Sequence, residues 1–143
     1  MRELTGCGIH HTASIPEITF QTVERWHKAK VPPWSEIGYH EYIDDQGVVW
    51  DGRRRQKMGA QMKRQNRHTI GICVAGDNTV DGRKWNSAQI TALCQRVLSW
   101  HEDFPSMVFG GHRDFPFQRT ACPGLDIEDF LRVHGVHVPI VGK

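Results

Sequence analysis

The sequence predicts a single α/β domain over residues 1–143, of the mixed α+β kind, with a central mixed β-sheet flanked by helices in three layers. Three observations lead there. Short apolar or β-branched runs alternate with stretches of helical spacing along the chain. One pair of runs is joined by a tight turn, the signature of a hairpin. A chain of 143 residues is one domain's worth and can bury a real core.

The elements follow in order. Cys7-Gly8-Ile9-His10-His11-Thr12 reads as a strand ending in two histidines. A helix follows Pro16, with Thr19 able to cap it and Phe20, Val23 and Trp26/His27 at helical spacing, until Pro32-Pro33 stops it. Ile37 to Ile43 alternates, Asp44-Asp45-Gln46-Gly47 is a turn, and Val48-Val49-Trp50 completes the hairpin. Residues 53–67 carry seven Lys/Arg and no acid, and read as a long surface loop.

Thr69-Ile70-Gly71-Ile72-Cys73-Val74 is the clearest interior strand, uncharged and rich in β-branched residues. Ser87 is a candidate N-cap for a crossover helix with Ile90, Leu93, Cys94, Val97, Leu98 and His101 on one face. Met107-Val108-Phe109 is the next strand. Asp126 or its neighbour opens a last short helix with Ile127, Phe130 and Leu131 expected inside, and the tail from Val133 has no periodicity. Trp26, Trp85 and Trp100 fall in or beside helices and read as structural.

Bulk properties narrow the function. Hydrophobic residues make up 38% and charged residues 24% of the chain, an ordinary balance for a globular protein. A net charge of +2 gives no global argument for nucleic acid. No apolar run has membrane-spanning length, and the first residues lack a signal-peptide core, so synthesis in a cytoplasm is expected. Cys7, Cys73 and Cys94 sit among apolar neighbours and read as reduced, buried thiols; a Cys7–Cys73 bridge is the less favoured alternative.

Cys122 differs, because its loop is polar. Gly111-His112-Arg113-Asp114 and Ala121-Cys122-Pro123-Gly124 place an imidazole and a thiol on one Gly- and Pro-punctuated loop after a strand. With His10 or His11 they make a possible three-ligand zinc shell, which leaves the fourth position for water as catalytic sites do. Separate, satisfied polar side chains are the alternative. Adjacent residues of a strand face opposite sides, so only one of the two histidines can join the set.

Four segments, in order, carry a resemblance: Ile9-His10-His11-Thr12-Ala13; Gly38-Tyr39-His40-Glu41-Tyr42-Ile43 with Asp45-Gln46-Gly47 and Gly52-Arg53; Asn66 with Thr69-Ile70-Gly71-Ile72-Cys73; and Gly111-His112-Arg113-Asp114 with Ala121-Cys122-Pro123-Gly124. From about Gly8 to Asp126 the chain resembles the zinc-dependent N-acetylmuramoyl-L-alanine amidases of the phage-lysozyme and peptidoglycan-recognition-protein type. The resemblance implies Zn2+ held by His10, His112 and Cys122, with Tyr39 the catalytic hydroxyl and His11 a neighbour. It puts Thr120 where phage enzymes commonly carry a Lys, as many recognition-protein amidases do, and there its hydroxyl would donate to an oxyanion. Gln61 stands where relatives often have a His, and Cys73 where another branch has a Glu.

The implied reaction is hydrolysis of the amide joining N-acetylmuramic acid to the L-alanine of the stem peptide. The implied partner is peptidoglycan, with a monomer the expected state and no nucleic acid, since the basic loop lacks aromatics. Arg53, Asn66 and His40 are the implied substrate contacts, and Arg53, Lys63 or Arg67 suits a stem-peptide carboxylate. Trp34, Phe115 and Phe117 are candidate lips of the cleft, with simple packing as the alternative reading. A phage endolysin, made in the host cytoplasm and acting on the wall after release, fits these features. A non-catalytic recognition module and a cytoplasmic muropeptide-recycling amidase are the alternatives.

Overall fold

A computed structural model describes residues 2–143. The sheet has five strands in the order β3-β2-β4-β1-β5: β1 (Gly6–His11), β2 (Glu41–Ile43), β3 (Val49–Asp51), β4 (Thr69–Val74) and β5 (Val108–Gly111). Strands β2, β4, β1 and β5 run parallel, and β3 pairs antiparallel with β2 as the hairpin return. The fold is therefore the expected mixed sheet with helices on both faces.

Both central strands, β1 and β4, are buried along their whole length. Their two faces serve different ends. Cys7, Ile9, Ile70, Ile72 and Val74 join the larger core under α2 (Ser87–Asp103) and α3 (Ile127–Val133). Tyr42 and Cys73 face the other way, toward α1 (Phe20–Lys28) and Val23. Cys7 and Cys73 thus lie on opposite faces, and all four cysteines are free.

Capping follows sequence closely, with one shift. Thr19 and Asp126 cap α1 and α3 through their side chains. At α2 the cap is Asn86, not Ser87: its carboxamide accepts from Gln89 N while Gln89 Oε1 accepts from Asn86 N, and Ser87 becomes the first helical residue. Helix α2 is tied to the sheet by Arg96, which donates to the buried Glu41 carboxylate at 2.7–3.0 Å, with Trp100 Nε1 adding a bond at 3.2 Å.

Other expectations need correction. The basic stretch is not simply a surface loop: Gln61, Met62 and Gln65 are buried. It folds back over the bare Gly8–Gly71 pair of β1 and β4, and the Arg2 guanidinium clamps it by donating to the carbonyls of Arg55, Asn66, Arg67 and Thr69. Trp26 is half exposed on α1, whereas Trp85 and Trp100 are buried. Phe130 is only partly buried, and the tail returns to the sheet edge, where Ile140 bridges Phe109.

Candidate metal centre

The site sits at the carboxyl ends of β1 and β5, where open sheets of this kind leave a crevice. In the β1–β4 register His10 lies opposite Cys73, on the α1 face, while His11 points elsewhere and accepts from Asn78 N through Nδ1 at 3.2 Å. A short 3-10 turn (His112–Asp114) follows β5, started by Gly111, whose N–H is accepted by Asp114 Oδ2 at 2.8 Å. The loop then returns so that Arg113 N donates to Cys122 O at 2.9 Å, which fixes Cys122 beside β1.

His10, His112 and Cys122 converge, with their ligand atoms all within 4.8 Å of one another. Cys122 Sγ lies 3.7 Å from His10 Nδ1. A tetrahedral zinc with ordinary Zn–S and Zn–N bonds sets that separation at about 3.6 Å, so the donors fit the ion in type and in spacing. The trio is the three-donor shell expected from sequence, and the partner from β1 is His10 rather than His11.

Electrostatics suit a cation. Burial and the neighbouring His112 pull His10 down to about 3, so it is neutral and able to donate a lone pair. Burial likewise pushes the Cys122 thiol up to about 11, opposed by the His11 N–H, which donates to Sγ at 3.4 Å, and by Arg113. A metal ion bound there would supply the charge that burial alone denies the thiolate.

Tyr39 lies against the cluster, its ring centroid 4.9 Å from that of His10. Its backbone is fixed by Gly38 N donating to His27 Nδ1 at 2.8 Å and by Arg53 N donating to Tyr39 O at 2.9 Å. Burial, with the Cys73 and Cys122 sulfurs nearby, holds its hydroxyl well above the usual tyrosine value. Thr120 is exposed at the rim, and its Oγ1 accepts from Cys122 N at 3.1 Å, which leaves the hydroxyl proton free to donate.

A cleft of about 410 Å³ opens beside His112, lined among others by Gln61, Lys63, Phe117, Gln118 and Thr120. Phe117 and Arg64 both hold left-handed backbone (φ 71° and 62°) and stack at the rim, the guanidinium 5.1 Å from the ring centre. Phe117 is an exposed lip of this cleft, whereas Phe115 is buried under β1 against Gly6 and Trp34 packs on His27.

The three inferred substrate contacts are placed otherwise. Asn66 Oδ1 accepts from both Gln61 N and Met62 N at 3.0 Å, so it shapes the loop. The buried His40 donates from Nε2 to Lys57 O at 2.8 Å and accepts from Gly71 N at Nδ1. Arg53 donates to Ile37 O and Met58 O. None of the three lines the cleft beside His112; Lys63 and Gln118 do. Gln118 carried no sequence signal, since only the fold brings it to His112.

A parallel-centred sheet that carries, at its carboxyl edge, a three-residue cluster able to hold a metal ion places the chain among α/β proteins with a site at the strand ends. Residues 2–125 match the N-acetylmuramoyl-L-alanine amidase family, and the chain belongs to it. It is 26% identical over 120 residues to the endolysin of Klebsiella phage KP32, covering 82% of this chain and 77% of that protein. It is 31% identical over 134 residues to peptidoglycan-recognition protein SC2 of Drosophila melanogaster, covering 87% and 70%. The structure superposes on N-acetylmuramoyl-L-alanine amidase LysC from Clostridium intestinale URNW with a TM-score of 0.81 at 25% identity, covering 95% of this chain and 88% of that one.

Proposed function

We propose that this protein is a zinc-dependent amidase that cleaves the bond between N-acetylmuramic acid and L-alanine in peptidoglycan, and that it acts as a phage endolysin. The observation that carries the reading is the convergence of His10, His112 and Cys122 beside Tyr39. Family membership and the phage endolysin relatives support it. When bound, zinc supplies a Lewis acid that polarises the scissile carbonyl and makes water nucleophilic near neutral pH.

The chain's own groups do the rest. Hydrolysis joins a water oxygen to the lactyl carbonyl carbon and breaks the C–N bond; both water protons pass to the departing alanine nitrogen, leaving a carboxylate and an ammonium group. Burial raises the Tyr39 hydroxyl in the metal-free cluster and favours its protonated form, the form that donates a hydrogen bond to the oxygen that gains charge. Thr120, its oxygen already held by Cys122 N, offers a second hydroxyl donor from the rim. Lys63 gives the cleft a cation for a stem-peptide carboxylate, and Phe117 an apolar edge.

Relatives among the recognition proteins raise the alternative of binding without cleavage. The complete ligand trio favours the amidase. The test is metal content together with product analysis on purified peptidoglycan, with and without chelator. Stoichiometric zinc and chelator-sensitive release of peptides with a free L-alanine amino terminus are expected. Binding to wall without release, indifferent to chelator, would establish the recognition role instead.

A further inference from the structure

Each histidine of the cluster has its outward nitrogen on a glutamine. His10 Nε2 lies 2.5 Å from Gln61 Oε1, and His112 Nε2 lies 2.8 Å from Gln118 Oε1. Neither carboxamide is free to turn round. Gln118 Nε2 donates to two backbone carbonyls, Lys63 O at 2.7 Å and Pro116 O at 2.9 Å. Gln61 Nε2 donates to Thr69 Oγ1 at 2.9 Å, and the Thr69 hydroxyl spends its own proton on Gln65 O at 2.7 Å. A carbonyl can only accept, so both chains run in one direction.

The direction fixes the imidazoles. With its nitrogen held by an acceptor, each glutamine presents oxygen to the histidine, and that oxygen requires a proton on Nε2. A neutral imidazole protonated at Nε2 carries its lone pair on Nδ1, the nitrogen that His10 turns toward Cys122. For His112, Nδ1 is the nitrogen left for the cluster. The backbone is shaped around the inner glutamine: Gly8 and Gly71 pair across β1 and β4, and a Cβ on either would come within 3.0 Å of Gln61 Oε1. Asn66 holds the Gln61 main chain from the other side.

We propose that Gln61 and Gln118 are paired positioning residues that lock His10 and His112 as Nε2–H tautomers, so that both Nδ1 lone pairs meet Cys122 at one point. The cost of pre-orienting two rings is met before any ion arrives, and affinity for the ion rises accordingly. This rests on the metal-centre reading above.

The experiment reads tautomers and affinity separately. Long-range 15N–1H NMR of metal-free protein at pH 7.5 reports which nitrogen of each histidine carries hydrogen; both are expected to be Nε2–H. Gln61→Met and Gln118→Met each remove the carboxamide, and with it the oxygen that faces the histidine, at similar side-chain length. Each is expected to free the tautomer of its own histidine only, and to weaken zinc binding, measured against a chromophoric chelator, by roughly 10–100-fold. Thr69→Val, which lets the Gln61 amide turn, is expected to copy Gln61→Met, and Thr69→Ser to restore wild-type behaviour. Gln118 is on a partly exposed loop, so its variant keeps the test alive if a buried substitution disturbs folding. A wild-type histidine of the pair found as Nδ1–H, or both Met variants binding zinc as tightly as wild type, would overturn the proposal. A wild type that bound no zinc while both rings were Nε2–H would instead sink the amidase reading and leave the tautomer lock standing.

Discussion

The backbone N–H of His11 points at Cys122 Sγ across 3.4 Å, so the strand that carries His10 also solvates the thiol that converges with it. A hydrogen bond to sulfur favours the thiolate and partly offsets the burial that keeps the thiol protonated. Cys122→Ser keeps the geometry but offers zinc a hard, protonated oxygen. Zinc affinity is expected to fall by more than about 100-fold, beyond the range typical of losing an outer partner, and wall digestion to stop. Metal analysis after desalting, beside turbidity loss of cell-wall suspensions, checks this.

Tyr39→Phe isolates the hydroxyl. The ring stays against His10, so fold and metal content are expected to match wild type. Turnover is expected to drop by about 10²–10³, the usual cost of one donor to a developing oxyanion. Quantifying released amino termini over time distinguishes this from a purely structural tyrosine, whose loss would leave the rate intact.

Gly71→Ala probes the packing under the inner glutamine. The added methyl would sit 2.7 Å from Gln61 Oε1 with β1 on one flank, leaving little room for relief. A destabilisation of about 1–3 kcal/mol is expected from such overpacking. Urea unfolding of the metal-free protein measures it.

Acid should weaken the metal-free fold through His40. Burial pulls this histidine from 6.5 down to about 4, so between those values the unfolded chain takes a proton that the native chain refuses. The share of stability that depends on His40 is complete above about pH 6.5 and falls by roughly 1.4 kcal/mol per pH unit as pH drops toward 4. His27, also lowered to about 4, and His10, lowered to about 3, add to the slope in the same direction. His40→Asn, whose Oδ1 can still accept from Gly71 N, should flatten the slope of unfolding free energy against pH.

How far the sequence could be read depends on the range of the interaction. Strand β4 was legible because burial on both faces leaves an uncharged, β-branched run from Thr69 to Val74, whereas β1 shows only the short Cys7-Gly8-Ile9 stretch before its two histidines. The convergence of His10, His112 and Cys122 was legible through the motifs that carry the family resemblance, since His10 and Cys122 are 112 residues apart and a lone histidine at a strand end is more often a satisfied polar residue. Local competition blurred the cap of α2, where Asn86 and Ser87 are both good candidates and only the reciprocal bond with Gln89 decides.

Residues 53–67 were misread for a different reason. Their charge is real and mostly solvated, but Gln61 and Met62 turn inward onto two glycines that belong to other strands. No local pattern encodes that. Arg53, His40 and Asn66 were taken as substrate contacts because of their place in motifs, yet their polar atoms bond backbone groups of this same loop, at Met58, Lys57, Gln61 and Met62. A residue can recur in a motif for the architecture around a site as readily as for the site.

Strands β1 and β5 lie side by side, yet His10 in β1 and Cys122 beyond β5 are 112 residues apart along the chain. A ribosome must therefore have extruded the whole stretch from His10 through Cys122 before the three side chains could meet, and a product cut short before Cys122 would lack the trio. Occupancy by the ion would then act as a clasp, barring β1 from peeling off its neighbours unless a ligand lets go.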